Sequence, residues 1–93
     1  LGDVYKRQVY FVGRSVTWHS RLGASGGLAK VWLDDEEPAV VSCYAADEIP
    51  GWPIWQREWP KAGEHALHVE VTGQPDERSA GADVWLDGVV YRQ

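Results

Sequence analysis

The chain has little cysteine, no long apolar run and no excess of basic residues, and each shortage excludes a class of protein. Cys43 is the only cysteine in 93 residues, so no disulfide framework and no cysteine-based metal site can form within the chain. No apolar stretch approaches the roughly 20 residues that a membrane-spanning helix requires. Nine Lys and Arg residues are scattered among fourteen Asp and Glu residues, which argues against nucleic acid as a partner.

The sequence also lacks any stretch of helical length with a 3.6-residue period, and alternation of period two takes its place. After the Pro60–Gly63 turn, four side chains share one side of an extended segment: His65, Leu67, Val69 and Val71. Four others share the opposite side: Ala66, His68, Glu70 and Thr72. This pattern predicts a β-strand with one packed face.

Further segments of alternating or β-branched residues predict more strands. They are residues 9–12 and 15–19 around a bulge at Gly13, a hairpin of 28–33 and 39–44 around an acidic turn, 54–57, and a closing strand over 83–91 kinked at Gly88. Residues 47–53 and 74–81 are expected to be loops. We therefore predict one all-β antiparallel sandwich over residues 9–93.

Parity along these strands predicts which side chains enter the core. The expected core residues are Ala29, Val31, Leu33, Val41, Cys43, Leu67, Val69, Val71, Val84 and Leu86. Trp18 shares a face with Val16 and is expected to join them. By the same alternation Trp32 and Tyr44 point outward.

Residues 1–8 resemble a translated sequencing adaptor, because Asp-Val-Tyr-Lys-Arg-Gln is what the transposon end used in library preparation encodes. We leave them out of the fold prediction and expect them to add nothing to the core.

Six tryptophans are unusual in so short a chain, and an exposed tryptophan often serves recognition. Trp52 lies in a Pro-Gly-Trp-Pro segment and is the first binding candidate, with a lid over the end of the sandwich as an equal alternative. The other candidates are on predicted strands: Trp32, Trp55, Tyr44 and Trp85. For each of these four, cross-strand packing is the stronger interpretation.

Metal and catalytic sites find little support. His65 and His68 have opposite strand parity, so they cannot converge on one zinc ion. The four acidic residues at positions 34–37 are interpreted as a solvent-exposed turn rather than as a calcium-binding loop. Neither a nucleophile with its base nor a carboxylate pair is evident from the spacings, and we predict no catalytic residue.

The order of the segments resembles the galactose-binding-like jelly-roll modules that accompany glycoside hydrolases. The resemblance covers residues 9–93 and rests on Phe11-Val12-Gly13, on residues 27–34, on Gly63-Glu64-His65 with its strand ending Val71-Thr72-Gly73, and on residues 84–88. Trp59 stands where that family usually has leucine, which favours a buried role. The opening strands of a complete jelly roll have no counterpart in these residues.

The resemblance implies a non-catalytic, carbohydrate-binding accessory module of a larger secreted enzyme, located outside the cell or in the periplasm. Its implied partners are a glycan and the neighbouring catalytic domain, with no membrane or nucleic acid. No cofactor is expected, although related modules often hold a structural calcium, for which Asp87 would be a weak ligand candidate. Two alternatives remain: a structural module that packs on a catalytic domain, or the jelly-roll part of an esterase.

Overall fold

The computed structural model describes residues 5–93, and these residues form an all-β chain, which confirms the predicted fold class. In chain order the strands are β1 (Tyr5–Leu22), β2 (Gly27–Leu33), β3 (Ala39–Ser42), β4 (Ile49–Pro75) and β5 (Gly88–Arg92). All pair antiparallel in one sheet of order β3-β2-β4-β1-β5. Within residues 5–93 no helix is long and apolar enough to cross a membrane.

The two longest strands are interrupted at the same level of the sheet. Gly13 pairs with Gly63, and Ser15 pairs with Glu58. Residues 59–62 of β4 therefore form a large bulge of four residues opposite the single residue Arg14 of β1. A bulge bends a strand and increases its local twist. The bulge predicted at Gly13 is therefore confirmed, and most of its extra residues belong to β4 rather than to β1.

The bulge divides the sheet into two layers. The four-strand layer contains β3, β2, residues 63–75 of β4 and residues 5–13 of β1. The three-strand layer contains residues 49–58 of β4, residues 15–22 of β1, and β5. Side chains of both layers meet in a single hydrophobic cluster, so the sheet folds over and buries one face of each layer.

The core is close to that expected from parity. Its buried members are Phe11, Val16, Trp18, Ala29, Val31, Leu33, Leu67 and Val69. Cys43 is also fully buried, while Val41, Val84 and Leu86 are half-buried and pack against the cluster. Val71 is half-buried as well. Trp18 has no solvent exposure, as predicted.

The hairpin of β2 and β3 forms as predicted, but two other expectations are wrong. Residues 49–53, predicted to be a loop, belong to β4. That part of β4 pairs only with β1 among residues 5–93, so it is an edge, and an edge strand tolerates prolines that lack a ladder donor. Residues 83–87, predicted as a strand, form only an isolated bridge between Asp83 and Gly26.

Strand β1 begins inside the segment that resembles an adaptor. Residues 5–8 pair with residues 68–71 of β4, and the side chains of Lys6, Arg7 and Gln8 are exposed. The backbone pairing of residues 5–8 was not expected, and the expectation that the whole segment adds nothing to the core stays a prediction. Residues 1–4 of the segment lie outside the described residues.

Candidate functional site

Four of the five aromatic residues suggested by the sequence already use a ring face within the molecule. Trp32 is half-buried and stacks on His68, with ring centroids 4.9 Å apart and planes 7° from parallel. His68 is the cross-strand partner of Trp32 on β4. The pair therefore matches the cross-strand packing that was the stronger interpretation for Trp32.

Trp55 lies against the core. It is directly opposite Trp18 on β1 and packs on the hydrophobic cluster. The guanidinium of Arg57 lies 5.2 Å from its ring centroid, and Arg57 also forms a 2.8 Å ion pair with Glu36 in the turn after β2. Because Arg57 belongs to the three-strand layer and Glu36 to the turn that ends the four-strand layer, this group joins the two layers.

Tyr44 and Trp85 are each covered by an arginine. Arg78 lies 4.6 Å from the ring centroid of Tyr44, and Asp76 holds that guanidinium through two hydrogen bonds of 2.9 Å. Arg21 lies 5.9 Å from the ring centroid of Trp85. Cation–π contacts of this kind stabilise a fold and occupy the ring face that a ligand would need.

Trp52 differs from the other four. Its exposed fraction is 48%, and it pairs with Ser20 on the edge part of β4. Among the residues that the structure describes, no ring or guanidinium is in contact with it. The five candidates do not converge, because Trp32 is in the four-strand layer and Trp52 in the three-strand layer.

A groove with a different set of residues lies where β1, β4 and β5 meet the turn after β2. Its volume is about 560 Å³. It is lined by Tyr10, Phe11, Val12, Asp34, Glu64, His65, Ala66, Tyr91 and Gln93. We call it the tyrosine groove, because its two tyrosines are 74% and 46% exposed at positions 10 and 91.

Asp34 holds one wall of the tyrosine groove in place. Its N–H donates to the carbonyl of Ala66, and the Ala66 N–H donates back to Asp34 Oδ1, each at 2.8 Å. These reciprocal bonds continue the β2–β4 ladder one step past the Leu33–Leu67 pair. Asp34 has a φ of 52°, a left-handed conformation that aspartate tolerates better than most residues.

The second carboxylate oxygen of Asp34 fixes His65. His65 Nδ1 lies 2.8 Å from Asp34 Oδ2, and since an ionised carboxylate can only accept, Nδ1 carries the hydrogen. Partial burial alone raises the pKa of Asp34, but the hydrogen bonds from His65 and the Ala66 N–H, with the nearby histidine charges, outweigh it. The net pKa lies below the ordinary value of 3.8. Asp34 is thus ionised at neutral pH.

Aromatic stacking forms the floor of the tyrosine groove. His65 stacks on Trp59 with centroids 4.0 Å apart and planes 9° from parallel. Phe11 lies 5.7 Å from His65 and 5.3 Å from Tyr91, which it stacks against. Phe11 is buried and Trp59 half-buried, in keeping with the internal role favoured for Trp59. One face of Tyr91 is therefore supported from beneath.

The hydrogen-bonding groups of the groove are two carboxylates, an imidazole, two phenols and an amide. Its lining residues include no serine, threonine or cysteine. The one cysteine, Cys43, is buried elsewhere, and burial raises the pKa of its thiol. In the described part of the chain, no three His, Cys, Asp or Glu side chains are grouped so that they could hold a metal ion.

Tyr10 and Tyr91 are not among the binding candidates predicted from the sequence, four of which are tryptophans. Strand parity could have given Tyr10, because residues 9–12 were predicted as a strand and Phe11 is buried in the structure, so its neighbour Tyr10 points away from the core. The contact between Asp34 and His65 had no such signal. It joins residues 31 positions apart and depends on the register between β2 and β4.

Comparisons with known proteins add no relative to this picture. No family model matches the chain, and no curated protein is significantly similar to it.

Proposed function

We propose that this chain is a non-catalytic carbohydrate-binding module of jelly-roll type, an accessory part of a larger secreted glycan-processing enzyme. The observation that carries the proposal is the tyrosine groove, which sets two exposed aromatic rings beside a carboxylate, an imidazole and an amide. Sugar rings have apolar C–H faces that stack on flat aromatics, and their hydroxyls need hydrogen-bond partners around the edge.

The groove is suited to holding a ligand rather than to transforming it. Tyr91 rests on Phe11, and His65 is held between Asp34 and Trp59, so these rings are ordered before any ligand arrives. Preorganisation reduces the entropic cost of binding.

Affinity for a single glycan chain is expected to be modest, roughly millimolar to micromolar, because two aromatic contacts supply only a few kcal/mol against the cost of association. Titration calorimetry with a panel of neutral oligosaccharides tests the proposal directly. Tyr10→Ala should weaken binding at least about fivefold, while Tyr10→Phe, which keeps the ring and removes only a hydroxyl bonded to Gln8, should bind almost normally.

The tyrosine groove and Trp52 can be separated in the same experiment. Trp52→Ala removes the other exposed aromatic candidate, which is not among the residues that line the groove. If Trp52→Ala abolishes binding while Tyr10→Ala leaves it unchanged, the proposed site is wrong and Trp52 is the platform. If no glycan binds the folded protein at all, the carbohydrate-binding function itself is refuted.

A second candidate function is a structural module that packs on a catalytic domain. The observation that favours it is that four aromatic side chains contact other residues of the chain and so contribute to its stability: Trp32, Trp55, Tyr44 and Trp85. On this alternative the exposed rings of Tyr10, Tyr91 and Trp52 form a protein interface. Binding of the upstream domain that is lost in Tyr10→Ala, with no response to any glycan, would establish it.

A further inference from the structure

The charge of the tyrosine groove is one-sided. Asp34 and Glu64 line it, and no lysine or arginine does. Arg92, which follows Tyr91 in the chain, lines a separate hollow with Ser15 and Thr17. The pKa of Asp34 is low, so its carboxylate is negatively charged at neutral pH. The chain as a whole has a net charge of −5, so the electrostatic potential of the groove and that of the whole chain are both negative.

The two carboxylates of the groove differ in what they are free to do. Asp34 already accepts hydrogen bonds from His65 and from the Ala66 N–H, so its role is to hold the wall. The side chain of Glu64 is exposed and makes no hydrogen bond or ion pair with the described residues. Of the two carboxylates in the groove, Glu64 is therefore the one that is available to pair with a ligand.

The exposed rings add to this preference. The face of a tyrosine ring is electronegative and attracts a cation that lies within about 6 Å of its centroid. Tyr10 and Tyr91 line the same groove as Glu64. Tyr10 lies opposite Ala66 and Val12 lies opposite Glu64, so Tyr10 and Glu64 are diagonal neighbours on one face of the paired strands. An ammonium group can contact that carboxylate and that ring together, whereas a carboxylate ligand meets Asp34 and Glu64 without a compensating lysine or arginine.

We propose that the tyrosine groove selects glycans that carry protonated amines, that is, deacetylated amino sugars, over N-acetylated glycans and over glycans that carry carboxylates. This inference rests on the proposed function and narrows its ligand class. An exposed cation–π contact and an exposed ion pair each favour the amine about two- to fivefold, and together they correspond to a preference of about five- to thirtyfold.

The test compares three oligosaccharides of equal length by calorimetry in mildly acidic, low-salt buffer: a glucosamine oligomer, an N-acetylglucosamine oligomer and a galacturonic acid oligomer. The first should bind about five- to thirtyfold more tightly than the second, and the third should bind most weakly. In Glu64→Gln the preference for glucosamine should fall about two- to fivefold, with the affinity for the acetylated oligomer unchanged.

Glu77→Gln is the matched control, because it removes the same charge from an exposed glutamate that lines a different hollow, with Leu28 and Arg78. It should keep the preference. Equal affinity for the first two oligomers, or an equal loss of preference in both variants, would overturn the inference while leaving the proposed function intact. If none of these three oligomers binds while a neutral oligosaccharide does, the inference alone is overturned. If no oligosaccharide of either set binds, the proposed function falls as well.

Discussion

Replacing Val31 by alanine measures how strongly the two layers depend on each other. Val31 lies in β2 between Ala39 of β3 and Val69 of β4, and it has no solvent exposure. Val40, one residue beyond Ala39 on β3, is 62% exposed. The same Val→Ala change can therefore be made on two paired strands, once inside the core and once on the surface.

The expected magnitudes follow from burial. Val→Ala deletes the equivalent of two methylene groups, each worth about 0.8 kcal/mol when buried, or about 1.6 kcal/mol in transfer free energy. The cavity left between the layers raises the cost of Val31→Ala to about 2–3 kcal/mol. Val40→Ala forfeits no burial of this kind and should stay within about 0.5 kcal/mol of the parent.

Equilibrium unfolding in urea, followed by tryptophan fluorescence, measures both variants. For a domain of this size the whole free energy of unfolding is about 5–14 kcal/mol, so Val31→Ala should lower the urea midpoint substantially. If the two variants have the same midpoint and slope, Val31 is not enclosed between two layers and the folded-over sheet is refuted.

Three further predictions concern single residues. Because the folded-state pKa of Asp34 is lowered, its stabilising effect is present above about pH 3.8 and is lost as the pH falls through the folded-state pKa. Urea titrations at a series of pH values should therefore show that Asp34→Asn is less stable than the parent at neutral pH and loses less stability on acidification. Gly26→Ala would drive a methyl group into backbone and should prevent folding, whereas Gly88→Ala, with no atom within 4 Å, should melt almost normally. Trp52→Phe should reduce acrylamide quenching of the fluorescence more than Trp32→Phe does, since Trp52 is the more exposed ring.

Short-range patterning accounts for the parts of the fold that the sequence predicted. The alternation of Ala29, Val31 and Leu33 gives both the strand and its buried face, since parity is a property of a single extended segment. The acidic turn before Pro38 likewise predicts the hairpin of β2 and β3, because turn residues act locally.

The predictions for residues 49–53 and 83–87 were wrong for a different reason. Whether each segment is a strand depends on which neighbouring strand extends far enough to pair with it. Pro50 and Pro53 deny ladder donors, and only the knowledge that β4 is an edge at this level allows a strand through them. Val84 and Leu86 alternate like a strand, yet they pack on the core without pairing. Local sequence cannot distinguish a paired strand from an extended segment lying on a core.

The candidate site was largely hidden for the same reason. Parity predicts that Trp32 points outward, but the ring of His68, which lies opposite it on β4, stacks on the Trp32 ring and leaves it half-buried. Conversely, the tyrosine groove exists because Asp34 follows the last residue of β2 and reaches His65 across the ladder. Parity predicts the face of a strand, and register decides which side chains meet there.

Asp34 also links the stability of the fold to the shape of the groove, which governs how site variants must be interpreted. It closes the β2–β4 ladder at Ala66 and orients His65, whose ring supports Trp59 and Phe11. A substitution at Asp34 would therefore change stability and ligand contacts together. Variants at Tyr10 and Glu64 avoid this coupling, because both side chains are exposed and neither pairs with the Asp34–His65 unit. Loss of binding in those variants can be assigned to the ligand contact itself.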